Sequence, residues 1–156
     1  MKFGFIILIL TLFTLASCQE KVEYPIEPKI TYDGLVYLVD AEGSLTGEVV
    51  LSINYTDGDG DLGLDDADTL YPFGPNDPHY YNLIIDYIGP SDSLNFNARF
   101  KRLIFNDEVA AISGTIRDTL MLRNPFSPHD TVSLKVHIID RALHESNTIE
   151  TEKICF

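Results

Sequence analysis

The chain has 156 residues, 45% of them hydrophobic and 22% charged, which is long and apolar enough for one domain with a true core. Its 24 acidic residues against 11 basic ones give a formal charge of -13. That balance excludes a nucleic-acid partner, whose phosphates demand a basic face, and makes cations the natural company of this surface.

Lys2 followed by the apolar run Phe3 to Leu15, about 13 residues, reads as a signal peptide over residues 1–17, because a membrane span needs roughly 20. The run ends in Leu15-Ala16-Ser17-Cys18, which resembles a bacterial lipobox. The resemblance implies cleavage before Cys18, a thioether-linked lipid on that cysteine and an anchor to the membrane, each buried methylene contributing about 0.8 kcal/mol. A plain secretory signal with a chance cysteine is the alternative. Gln19 stands where many inner-membrane lipoproteins carry aspartate, so the expected address is the outer membrane, and Gln19-Glu20-Lys21 resembles the export tags of surface lipoproteins in Bacteroidota. With Cys18 lipidated, Cys155 has no partner for an intramolecular disulfide, and between Ile154 and Phe156 it reads as a small apolar residue of a strand. Pro25 and Pro28 make residues 18–29 an extended tether, and residues 30–156 the domain.

Within the domain, residues 30–39 read as a first strand with a bulge or break at Asp33-Gly34, and Asp40 to Gly47 as a turn. Val49, Leu51, Ile53 and Tyr55 then alternate with polar neighbours across residues 48–56, the period of a half-buried strand. An aspartate-rich loop follows, and Leu70 to His79, with three prolines, is a long surface excursion. Further strands are expected at 80–89, 97–105, 114–123, 131–140 and 146–156; Val132, Leu134, Val136 and Ile138 give the clearest alternation of these. Asn106 to Ser113 is the only helical candidate, and a short one. Seven strands without βα alternation predict an all-β, antiparallel, immunoglobulin-like β-sandwich, with no strand order legible.

Asp57-Gly58-Asp59-Gly60-Asp61-Leu62-Gly63 is the distinctive stretch. Alternate carboxylates on a tightly turning loop can meet at one centre, and calcium takes about six to eight oxygen ligands in flexible geometry. Gly58 and Gly60 are expected to supply the positive φ such curling needs. The spacing partly matches the calcium loop of EF-hands, with Asp57, Asp59 and Asp61 in the first, third and fifth places and Asp68 in the twelfth. It departs at Leu62, where that loop has glycine, and no helices flank it. The alternative is a solvated turn, which favours Asp and Gly for backbone reasons alone.

Lipobox, tether, Asp-Gly-Asp-Gly-Asp-Leu-Gly and the late Asp140-Arg141-Ala142 with Ser146-Asn147 together resemble a group of uncharacterised Bacteroidota lipoproteins. That ending also looks like the final hairpin of immunoglobulin-like and cadherin-like domains. In cadherin-like modules aspartates at strand ends gather calcium at one pole, which implies Asp140 as a further ligand beside Asp57, Asp59, Asp61 and Asp68. His79, His129, His137 and His144 form no zinc-binding pair. Tyr71, Phe73, Tyr80 and Tyr81 make either a sugar- or protein-binding platform or, the preferred reading, a satellite core. The expectation is a non-enzymatic envelope module with a protein or glycan ligand. A glycan-processing enzyme and an accessory subunit of an uptake complex are the alternatives.

Overall fold

The computed structural model describes residues 23–89, 95–104, 110–122 and 131–155. The signal peptide, Cys18 and His129 lie outside them. Among the described residues there is no helix; of the segment 106–113, only 110–113 are described, and they lead into a strand. Seven strands run in order: β1 Lys29–Val39, β2 Leu45–Asp57, β3 Leu83–Ile88, β4 Ile112–Met121, β5 Thr131–Ile138, β6 Ile149–Glu150 and β7 Ile154–Cys155.

Strands β1-β2-β4 form one antiparallel sheet; β3-β5-β6 form the other, with β7 also on β5. Among the described residues, two antiparallel sheets ordered in this way make an all-β sandwich. The alternation of β2 and β5 builds the interior. Val49, Leu51, Ile53 and Tyr55 from one sheet meet Leu83, Ile85, Val132, Leu134, Val136 and Ile138 from the other in a single apolar cluster. Asp33-Gly34 is a bulge inside a continuous β1, as one of the two expected outcomes had it. The turn after β1 is shorter than expected, because Asp40 Oδ1 accepts the main-chain N–H groups of Glu42 and Ser44 and β2 begins at Leu45. At this hairpin end Val36, Val39, Leu45 and Met121 are exposed.

Two predicted strands come out differently. Residues 97–105 form no strand among the described positions, only isolated bridges such as Leu83 with Ala98 and Leu64 with Lys101. Backbone pairing is only partial there, with Leu83 and Ala98 exchanging hydrogen bonds, and side-chain amides take other positions: Asn82 Oδ1 accepts the Phe100 N–H at 2.8 Å, Asn82 Nδ2 donates to the Phe100 carbonyl, and Asn97 Oδ1 accepts the Ile85 N–H. The last strand is likewise split into β6 and β7, because Thr151 Oγ1 accepts the Leu134 N–H at 3.0 Å where a backbone carbonyl would otherwise stand. Cys155 lies on β7 as expected but is exposed, while its neighbour Ile154 is buried.

Candidate metal centre

Strand periodicity decides where the first aspartate goes. Side chains alternate across a strand, so the inward column Val49, Leu51, Ile53, Tyr55 continues to Asp57, the last residue of β2, which is 0% exposed. On the opposite sheet the column Val132, Leu134, Val136, Ile138 runs on to Asp140, also buried. Each sheet thus ends its apolar column with a carboxylate at the same pole of the sandwich.

After Asp57 the chain curls. Gly60 adopts a left-handed φ of 74°, which L-residues rarely take, and brings Asp61 back toward Asp57. Gly58 has no such φ, contrary to expectation. It is required for a different reason: a side-chain carbon there would meet the carbonyl oxygens of Tyr24 and Pro25, the latter at 2.5 Å. One carboxylate oxygen each of Asp57, Asp59 and Asp61 lies within 4.8 Å of the others. At that separation two unit charges repel by about 0.9 kcal/mol even in bulk water, and by more where water is excluded.

The three acids lack the donors that buried carboxylates normally have. Both oxygens of Asp57, Oδ1 of Asp59 and Oδ1 of Asp61 are buried with no hydrogen-bond partner. Burial, reinforced by the charges of Asp59, Asp61 and Asp140, pushes the Asp57 carboxyl up to about 7 from 3.8; the nearby Gly60 N–H offsets part of this without completing a hydrogen bond. Asp61 is pushed up to about 6, again by burial first and then by Asp140 and Asp59, although its Oδ2 accepts the Ala142 N–H at 3.0 Å. A cluster of this kind can hold a metal ion through oxygen ligands.

Asp140 flanks the cluster with a side chain wholly removed from solvent. Its Oδ1 accepts the His144 N–H at 2.7 Å, and its Oδ2 lies 2.8 Å from His144 Nδ1. This hydrogen bond and the Asp140 charge raise the His144 pKa. Asp140 is therefore close enough to be felt by Asp57 and Asp61 but has its own partner.

Asp68 is not gathered with the other four. Its Oδ2 accepts the Asp65 N–H at 2.7 Å and lies 3.1 Å from Arg141 Nη1, and Arg141 also pairs with Asp65. Asp65 and Asp68 are thus paired with arginine, and the exposed Asp66 between them with Lys101. The three consecutive residues Asp140, Arg141 and Ala142 serve three different partners: the buried cluster's flank, the Asp65/Asp68 pair and Asp61. Ser146 and Asn147 are structural. Ser146 Oγ accepts the Ile138 N–H, while the Asn147 amide both accepts from and donates to the backbone of Ile30, tying β1 to the opposite sheet.

Arg99 carries a role that strand alternation did not reveal. Its guanidinium donates to the carbonyls of Phe73, Tyr80, Asp65 and Asp68 and sits over the Tyr80 ring, holding the excursion from four sides. The aromatic group of that excursion divides. Phe73 and Tyr80 are partly covered, whereas Tyr81 is exposed and Leu70 and Tyr71 are 80% and 79% exposed, so the satellite core takes only half the set. Comparison of the chain with family models, with curated proteins and with solved structures finds no match.

Proposed function

We propose that Asp57, Asp59 and Asp61, flanked by Asp140, bind calcium, and that the ion fixes the loop pole of a lipid-anchored domain acting as a binding or assembly module of the outer envelope. The observation that carries the metal reading is Asp57, fully enclosed with neither oxygen hydrogen-bonded. A buried carboxylate without donors is costly unless it is protonated or faces a cation. An all-oxygen group on an irregular loop suits calcium better than magnesium, which demands near-ideal octahedral geometry. The anchor and the outer-membrane address rest on Leu15-Ala16-Ser17-Cys18 and Gln19.

The raised carboxyls of Asp57 and Asp61 are also what a glycan-processing enzyme would use. A general acid or base must come within hydrogen-bond reach of its substrate, and Asp57 has no exposed surface with which to do so. The exposed Leu70 and Tyr71 are better suited to contact with a protein or glycan partner.

Calcium at a hundred times its dissociation constant is expected to stabilise the protein by about 2.7 kcal/mol over chelator, a rise in melting midpoint of several degrees. Magnesium should give clearly less. An unchanged midpoint in calcium would remove the metal reading. For the anchor, cells fed radioactive palmitate should label the wild-type protein and not Cys18→Ser; labelling of the variant would contradict lipidation at that residue.

A further inference from the structure

The segment that leads into the domain crosses the aspartate loop. The carbonyls of Tyr24 and Pro25 press on Gly58 closely enough to leave no space for a side chain, and Gly58 lies between Asp57 and Asp59. From Pro28 onward the chain is secured: Pro28 and Ile30 are buried, and Asn147 clasps Ile30 from both sides. Before Pro28 the situation reverses. Among the described residues, 23–27 make no hydrogen bond to the domain, and Ile26 is 50% exposed. Tyr24 and Pro25 also line a hollow of about 420 Å³ together with Thr31, Asn54 and Tyr55. The strap therefore borders open space on one side and lies close against Gly58. Glu27 adds a charge that reaches His144, beside the cluster.

We propose that cation occupancy of the Asp57–Asp61 loop decides whether residues 23–27 stay seated across Gly58, so that the loop is a cation-dependent clasp on the strap. The inference rests on the calcium reading above. Mutual repulsion of Asp57, Asp59 and Asp61 spreads the loop when no cation is bound, and the residue that moves with them is the one on which the strap leans. An ion draws the carboxylates together and restores the seat. Five released residues add up to about 17 Å of free chain, so the same event changes how far the domain stands from whatever holds the segment upstream.

The test is backbone ¹⁵N relaxation on the mature full chain in detergent, with calcium chloride and then with EGTA. The Ile26 and Glu27 amides should pass from order parameters below about 0.6 in EGTA to about 0.85 in calcium, the values of flexible and rigid backbone. The change should half-saturate at the calcium concentration that half-shifts the Asp59 and Gly60 resonances. In Asp57→Asn, which relieves the repulsion and loses the ion, the Ile26 and Glu27 order parameters should be the same in calcium and in EGTA. Shifts at Asp59 and Gly60 without any change at Ile26 and Glu27 would overturn the clasp and leave the metal site standing. No shift at Asp59 and Gly60 would overturn both. The wild-type titration decides the matter even if the variant does not fold.

Discussion

Asp57→Asn is expected to melt higher than the wild type in chelator and to lose the response to calcium, a reversal of order between the two conditions. Asparagine keeps the shape of the side chain, removes one charge from a group whose oxygens lie within 4.8 Å, and adds an amide that can donate to its acidic neighbours. The same charges set a pH dependence. The folded-state values of about 7 for Asp57 and about 6 for Asp61 stand above the ordinary 3.8, so the stability linked to their protonation is complete below about pH 4 and is lost as pH rises through 6 to 7. In chelator the wild type should therefore gain roughly 5 °C in midpoint on acidification from pH 8 to pH 5, each pKa unit corresponding to about 1.4 kcal/mol at most. Asp57→Asn should lose most of that slope. In calcium the wild-type slope should flatten or invert, because protons then compete with the ion. Scanning calorimetry across this pH range checks all three statements, and a flat wild-type profile in chelator would mean that the carboxylates are solvated.

Arg99→Ala should destabilise the protein by about 3 kcal/mol or more in urea unfolding and expose the excursion between Leu64 and Tyr81 to proteolysis. Four carbonyls receive the guanidinium, those of Asp65, Asp68, Phe73 and Tyr80, at distances from 2.9 to 3.3 Å. Hydrogen bonds to a charged donor contribute about 1.5 to 3 kcal/mol each, though the four act as one unit and do not add. Lysine has the charge but not the planar fork, so Arg99→Lys should recover less than half of the loss. A variant within about 0.5 kcal/mol of the wild type would show that the excursion is held by something else.

Much of the site was legible because strand period and chemistry coincide. The alternation that marks Val49 to Tyr55 as core-facing also carries Asp57 inward, and the same count from Val132 reaches Asp140. Asp68 was placed by its position in a borrowed loop pattern, and position says nothing of Arg141, which is 73 residues away in sequence and takes that carboxylate for itself. The interruption of the fourth predicted strand, among its described residues, and the division of the last one share a cause. Asn82, Asn97 and Thr151 replace ladder amides and carbonyls with side-chain atoms, and hydropathy patterning does not register which partner a backbone N–H selects. Gly58 was read correctly as necessary and for the wrong reason, since the segment that crowds it lies more than thirty residues upstream.

Strand β1 runs 11 residues from the acidic pole to the hairpin, about 36 Å of extended chain. The backbone comes in beside the carboxylates, so the hairpin lies at the opposite end of the domain from the point where the chain enters it. Val36, Val39, Leu45 and Met121 are displayed at that far tip, opposite in character to the charged base. On the proposed lipid anchor, a molecule held by its first residues would present a greasy crown outward and its ionic end toward the membrane.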